Sequence, residues 1–451
     1  LNQRLVPAGA AGEAGIGEGE VKTITLGSLF DGIGGFPLAA SRYGIKTLWA
    51  SEIEPFPIKV TKIRLPNMKH LGDITQINGA EIEPVDIITF GSPCQDLSVA
   101  GKRAGLAGER SGLFMEAVRI IKEVRNTYEG SDGPIRPRFA VWENVPGAFS
   151  SNKGEDFRAV LEEICRIKDE TVIIPKPPKG KWSTVGAIMG NGWSIAWRIL
   201  DAQYWGVPQR RRRIFLVADF GGQSAPEVLF KRQGLSRHLA ESRKAREGIA
   251  ADVKRGIGKA IGVDVYNFTE TGNTAATLNA TSGNSPTHSG PSVMAIENKD
   301  ATDLVCSVDC RNFNETEMHG TLQAKENGGH SLNYMGAVRT GYSVRRLTPL
   351  ECERLQGFPD GWTDIPGQTE ATEQELEFWR EVWLTWDKLQ AEEPEEVKPR
   401  NDKRLLKWLK NPVSDSVQYK ALGNSVAVPC VEYVLEGIKE VLEVANEEAT
   451  P

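Results

Sequence analysis

The sequence has no apolar run near the roughly 18 residues of a membrane span, and its first residues lack the basic-then-apolar order of a secretory signal. A membrane or secreted protein is therefore not expected, and the cytoplasm is the default address. Cysteine is also sparse. Six residues (Cys94, Cys165, Cys306, Cys310, Cys352, Cys430) scattered over 451 positions fit a reducing compartment better than a disulfide framework. Cys306 and Cys310, with His319 and His330, do not form a strong zinc spacing, so no metal is expected. Strong net charge is missing too: a formal −6 does not by itself point to nucleic acid. Charge is uneven along the chain, however. Residues 201–260 carry 13 Lys/Arg against 6 Asp/Glu, and residues 370–396 carry 10 acidic against 2 basic residues.

What is present is enough length for two or three globular domains. Residues 1–21 are rich in Gly, Ala and Glu, begin with Leu, and read as a disordered or processed leader. Short apolar runs follow at 24–30, 47–50, 86–90, 138–142 and 213–218, separated by amphipathic stretches such as 112–124. That alternation predicts a parallel α/β sheet. From 221 to 342 the chain is polar and rich in Gly, Asn, Ser and Thr, which predicts a second, smaller, loop- and β-rich domain. Within it, Asn267-Phe268 with Thr277-Leu278 is echoed by Asn312-Phe313 with Thr321-Leu322, a weak internal repeat. An acidic insertion at 366–416 sets Phe378, Trp379, Trp383 and Trp386 at helical spacing, read as a solvated helix with one packed aromatic stripe or as a partner surface. The last stretch, 431–444, predicts a closing amphipathic helix.

The segment Leu29-Phe30-Asp31-Gly32-Ile33-Gly34-Gly35-Phe36 runs from an apolar strand through a glycine turn into a helix. Such a turn lets a nucleotide-like ligand approach the backbone. It departs from the dinucleotide fingerprint, whose third glycine would fall at Pro37, so a nicotinamide cofactor loses ground. Glu52 ends the next apolar run and can accept both hydroxyls of a ribose, while Asp73 ends the following unit and can accept from an adenine amino group. Either acid alone could be a helix cap. Together with Asp31, each at an expected strand end, they favour adenosyl binding.

Gly91-Ser92-Pro93-Cys94-Gln95 follows the apolar run 85–90 and so lies on a loop at a strand's carboxyl end, where open α/β sheets bind ligands. Glu143-Asn144 follows a further run. Four arginines, Arg210 to Arg213, lead into another; in an extended strand Arg211 and Arg213 share a face.

With those blocks in their order, and with Arg346-Leu347-Thr348-Pro349, Gln356-Gly357-Phe358-Pro359 and Gly423-Asn424-Ser425-Val426 after them, the chain resembles the DNA (cytosine-5) methyltransferase family of bacteria and phages. The resemblance implies a class I S-adenosylmethionine-dependent methyltransferase (Rossmann-like) large domain, formed by residues 22–220 and 343–451, with an inserted target-recognition domain at 221–342. It implies that Cys94 is the nucleophile toward cytosine C6, that Glu143 stabilises the ring at N3, and that Arg213 and Arg211 hold O2. It assigns S-adenosylmethionine to the turn of Asp31, Gly32, Gly34 and Gly35, with Phe30 and Ile53 on the adenine faces. Glu52 then takes the ribose, Asp73 the amino group, and Pro93, Leu113, Asn424, Ser425 and Val426 complete the pocket. Ser92, Gln95, Ser98 and Gln209 fall to the flipped nucleotide and its DNA. Double-stranded DNA is the implied partner of a monomer, with a cognate restriction endonuclease as an optional second one.

Three features exceed the compact pattern: the leader, residues 168–192, and the acidic Trp-rich insertion. Three rivals remain. An amino methyltransferase would carry an Asp/Asn/Ser-Pro-Pro-aromatic loop where this chain has Ser92-Pro93-Cys94-Gln95. A tRNA C5 methyltransferase would not need so long a recognition segment, and a catalytically dead DNA-binding relative would normally have lost the Pro-Cys pair or Glu143.

Overall fold

The computed structural model describes residues 23–92, 112–128, 134–177, 180–230 and 347–445 with their side chains, and the backbone of several strands between 260 and 346. In the first part of the chain, β1 (Thr25–Leu29), β2 (Lys46–Ser51), β3 (Lys69–His70), β4 (Ile87–Phe90) and β5 (Phe139–Asn144) alternate with α1 (Gly35–Arg42), α2 (Pro55–Arg64) and α3 (Gly112–Tyr128). After α4 (Glu155–Cys165) come β6 (Val185–Gly190), β7 (Trp193–Asp201) and β8 (Arg212–Asp219). All eight strands form one sheet in the order β3-β2-β1-β4-β5-β8-β7-β6.

Successive strand residues point to opposite faces, and the core divides accordingly. Leu26, Ile87, Phe139, Val141, Phe215 and Val217 pack on one side of the sheet; Leu29, Ile88, Phe90, Ala140, Trp142 and Leu216 pack on the other. A sheet buried on both faces needs near-continuous apolar strands, which is what the runs provide.

Only the first five strands are parallel. β5 pairs antiparallel with β8, and β8 with β7 and β7 with β6 likewise, so the all-parallel expectation fails for this half. The physical reason is that a short buried strand shows its apolarity in sequence but not its direction. The stretch beyond 168 supplies the edge: Trp182 donates to the Gly154 carbonyl at 2.7 Å, and β6 then closes the hairpin with β7.

The end of the chain returns to the beginning. α10 (Val428–Glu448 in chain order, after α5 Ala225–Phe230, α6 Pro349–Gln356, α7 Glu373–Gln390, α8 Asp402–Lys410 and α9 Asp415–Asn424) packs beside α1. Val431, Val434 and Leu435 share one core with Phe36, Ala39 and Ala40. Val228 and Leu229 of α5 enter this core as well. Between α5 and α6, strands Ala260–Asp264, Thr269–Gly272, Val293–Glu297 and Tyr342–Arg346 form one small antiparallel sheet, and Cys306–Asp309, Asn314–Thr316 and Gly336–Arg339 form another. The two copies of the weak repeat thus contribute to different sheets, through Thr269–Gly272 and Asn314–Thr316; the rest of each copy lies outside the described residues.

In the acidic insertion, α7 is capped by Thr372, whose side chain accepts from the Glu375 amide while the Glu375 carboxylate returns to the Thr372 amide. Its aromatic stripe is packed. Leu376 and Trp379 join Ile58, Leu405 and Leu409 in a separate small core, with Trp379 and Trp408 edge to face at 4.9 Å. Among the described residues no helix is long and apolar enough to cross a membrane.

Candidate active site

The turn after β1 is built by backbone that only special residues tolerate. Gly32 and Gly34 have φ of 58° and 83°, and Phe30, which is not glycine, has φ 56°. Gly35 is bare for a different reason: a Cβ there would stand 2.5 Å from Val426 Cγ2 and 3.1 Å from Ser425 Oγ. The C-terminal Asn424-Ser425-Val426 loop therefore presses directly onto the turn. Arg211, buried at 2% exposure, fixes that loop from the sheet side by donating to the carbonyls of Gly423, at 3.1 Å, and Ser425. Burial and the neighbouring Arg213 push the Arg211 pKa down, and Glu143 opposes the shift.

Glu52 closes the other side of the turn. Its carboxylate accepts from the backbone amides of Gly32, Ile53 and Glu54, each at 2.8 Å, which holds its position relative to the glycines. Ser51 Oγ donates to the Gly72 carbonyl at 2.7 Å, tying the β2 end to the loop that carries Asp73. Asp73 caps the short helix Ile74–Gln76 through the Thr75 amide at 2.9 Å. Phe30 and Leu113 are partly buried against the core cluster on that face, and Ile53 is half-buried beside Glu52.

Asp31 sits under this turn, its Oδ1 accepting from Ser28 Oγ at 2.6 Å and its Oδ2 without a partner among the described residues. Burial raises its pKa from 3.8 to about 7; the Ser28 bond opposes the shift and Glu52 adds to it. The raised value means the folded state holds the proton more tightly, so this group's stabilisation is complete below pH 3.8 and is lost as pH rises to about 7. Asp31→Asn is expected to abolish that slope, leaving the variant more stable than the parent at pH 8 and not at pH 4. Thermal melts at both values check this, with a ceiling on the order of 4 kcal/mol.

The second half of the site lies at the ends of β4 and β5. Ser92 is buried, accepting from Trp142 Nε1 at 3.1 Å on its hydroxyl and from Asn144 Nδ2 at 3.0 Å on its carbonyl. Among the described residues the carbonyl thus has a second lone pair to offer a further donor. A Cβ on Gly91 would stand 3.5 Å from Glu143 Oε2, so the β4 end and Glu143 are neighbours. The antiparallel entry of β8 explains the arginines: Asn144 is in register with Ile214, which brings the start of β8 to the carboxyl end of β5. Arg213 Nε lies 3.1 Å from Glu143 Oε1. Burial pushes the Glu143 pKa up, and Arg213 and then Arg211 pull it back. Arg210 and Arg212 are exposed between their buried and half-buried neighbours, the alternation an extended strand requires.

Gln209 is fully buried and its side-chain amide has no partner among the described residues. Pro93, Cys94, Gln95 and Ser98 lie outside the described residues, as do the side chains of Cys306 and Cys310. Sequence reasoning missed two contributors. One is the anchoring of the C-terminal loop by Arg211. The other is His70, whose ring nitrogens are buried without partners among the described residues and whose pKa is lowered to about 4 by burial and by Lys62; a lone histidine at a two-residue strand gives no sequence signal.

The residues present fit an adenosyl cofactor. A bare glycine cradle, a fixed carboxylate at the β2 end and buried oxygens on Asp31 and Ser425 that have no partner among the described residues face one turn. This sheet order with this site defines a Rossmann-like S-adenosylmethionine-dependent methyltransferase. The model of the C-5 cytosine-specific DNA methylase family matches residues 24–167 and 185–375, and the chain belongs to that family. S-adenosylmethionine is accordingly the methyl donor the family and fold imply.

The chain is 30% identical to the DNA N-6-adenine-methyltransferase of Escherichia phage P1 across 94% of its own length, spanning 62% of that protein. It is 29% identical to Type II methyltransferase M.BsuFI of Bacillus subtilis over 43% of its length, spanning 39% of that relative. A solved structure, the S. pombe Dnmt2 methyltransferase, aligns with a TM-score of 0.49 at 15% identity, over 93% of this chain and 99% of that one.

Proposed function

We propose that the chain transfers a methyl group from S-adenosylmethionine to carbon 5 of a cytosine turned out of a specific site in double-stranded DNA. The observation that carries this reading is the meeting of three strand ends: Ser92 at β4, Glu143 at β5 and Arg213 at β8, with the Glu143–Arg213 pair at 3.1 Å. Pro93-Cys94 follows Ser92 directly in sequence.

Cytosine C5 is a poor nucleophile. The Cys94 thiolate adds to C6, and the displaced electron pair makes C5 enamine-like. Glu143, whose pKa is raised by burial, shares a proton with N3 and so takes up the charge that addition places on the ring. Arg213 is positioned to hold O2 while paired with that carboxylate, and Arg211 adds positive potential from behind. When bound, the cofactor would supply an electrophilic methyl group, whose bond to sulfur would break as the C5 pair takes the methyl carbon, leaving the neutral thioether S-adenosylhomocysteine. A base removes the C5 proton, the pair reforms C5=C6, and the Cys94 thiolate leaves. The base must stand outside the stack, because its ring faces are covered in a duplex.

The name of the phage P1 relative raises adenine N6 as a second target. Against it stands the loop itself, since Ser92-Pro93-Cys94-Gln95 offers a thiol where an amino methyltransferase needs a second proline and an aromatic ring. More than a third of the phage protein is also not matched by this chain. Duplex DNA treated with the protein and S-adenosylmethionine, then sequenced after bisulfite conversion, is expected to show protected cytosines within one sequence context. Replacing residues 273–279 by a Gly/Ser linker of equal length should change or abolish that context while cofactor binding persists. Methyl label found only on adenine would overturn the reading.

A further inference from the structure

The acidic insertion does more than extend the surface. A cavity of about 250 Å³ opens beside the adenosyl residues, running from Glu52, Ile53 and Asp73 on the sheet side to Phe378, Val382 and Thr385 on α7. The family match ends at residue 375, so the α7 side of this cavity comes from sequence outside the family pattern.

α7 is fastened where it stands. Ile58 of α2, five residues after Ile53 in the chain, is buried in the small core with Leu376 and Trp379. The Lys59 ammonium lies 5.7 Å from the Trp379 ring centre and 5.8 Å from that of Trp408; Lys62 sits 4.0 Å over Phe378. Lys420 joins the two parts again, bonding Glu54 at 2.8 Å and covering Trp386 at 4.9 Å. These cation–π contacts are attractive, and together they hold the helix on the residues that immediately follow Glu52.

The chemistry of the cavity selects for a nucleoside without phosphates. Its ionisable lining comprises Glu52, Asp73, Glu381 and His70, and His70 is neutral at pH 7 because burial and Lys62 lower its pKa to about 4. Among the described residues no cation stands on the lining to meet a phosphate, while Ile53, Phe378 and Val382 offer apolar surface to a heterocycle.

We propose that α7 forms the outer wall of the adenosyl site, so that the adenine, its faces on Phe30 and Ile53, is closed off beyond Ile53 and Asp73 by the Phe378–Val382 face, and that this wall sets cofactor affinity and residence time. This rests on the reading of Glu52 and Asp73 as adenosyl ligands. The wall slows escape because the cofactor must leave past, or displace, a helix docked by its own core; its removal acts mainly on the dissociation rate.

The test is equilibrium and stopped-flow binding of S-adenosylmethionine and S-adenosylhomocysteine to the full chain, without DNA and without turnover. Val382→Trp, which fills the cavity, is expected to weaken both ligands by at least about 10-fold, and Val382→Ala to raise the dissociation rate by about 3-fold or more. Leu389→Trp, an exposed position on the same helix, should change neither. Glu52→Ala run beside them separates the two levels. If Glu52→Ala loses affinity while Val382→Trp and Val382→Ala bind and release as the parent does, the wall is refuted and the adenosyl reading stands. If Glu52→Ala binds normally, the adenosyl reading itself falls, and the wall with it. Should Val382→Trp fail to fold, parental affinity and release in Val382→Ala refute the wall alone.

Discussion

Replacing Cys94 by alanine will abolish methyl transfer to DNA, by at least about 10⁴-fold, the scale on which removal of an attacking nucleophile acts. The size of the effect follows from the substrate. Without addition at C6 the ring has no enamine to attack the methyl group, and none of the cysteines among the described residues can stand in: Cys165, Cys352 and Cys430 are buried, and burial raises the pKa of each thiol away from the reactive thiolate form. Cofactor affinity should be nearly unchanged in Cys94→Ala, since the turn, Glu52 and the C-terminal loop are bonded to one another independently of that side chain. Single-turnover transfer of labelled methyl groups, with calorimetry for the cofactor, measures both quantities. Parental turnover by the variant would end the covalent mechanism.

The second large effect is at Glu143. Glu143→Gln is expected to lower turnover by about 10²-fold or more, the usual scale for acid–base or charge stabilisation, with cofactor affinity preserved. Burial raises the Glu143 pKa, so the carboxyl keeps its proton to higher pH than an exposed glutamate, and activity should fall on the alkaline side as that proton is lost. The amide has no such proton to lose, and the variant's residual rate should lack that limb. Glu52→Ala should show the opposite division: affinity for S-adenosylmethionine falls about 10- to 100-fold, the worth of bonds to a charged group, while turnover at saturating cofactor falls much less. A swapped pattern would mean the two acids have been assigned to the wrong ends of the site.

Much of this architecture is legible in the sequence because its signals are local. The glycines that permit positive φ at Gly32 and Gly34, the acids at the ends of β2 and β5, and the apolar runs that split onto two sheet faces are each decided within a few residues. What is not legible depends on distant partners. Nothing in the run 213–218 says that β8 enters antiparallel, yet that direction is what sets Arg213 against Glu143. Arg211 and Arg213 share a strand face as the sequence suggests, but one anchors the Gly423–Ser425 backbone and the other pairs with Glu143, a division decided by what lies opposite. The acidic insertion reads as a helix with a packed stripe, and it is one; that its Phe378 and Val382 turn toward the cavity beside Glu52 depends on α2, some 320 residues earlier in the chain.

A covalent bond from Cys94 to the target cytosine can be trapped with 5-fluorocytosine. Fluorine at C5 blocks the final loss of a proton, so the methylated adduct cannot release its thiolate. Incubated with S-adenosylmethionine and a duplex carrying 5-fluorocytosine in the methylated context, the protein should form a denaturant-stable complex whose peptide map places the nucleotide on Cys94, and Cys94→Ala should form none. Efficient methylation of ordinary cytosine DNA, with no stable complex on the fluorinated duplex, would contradict it.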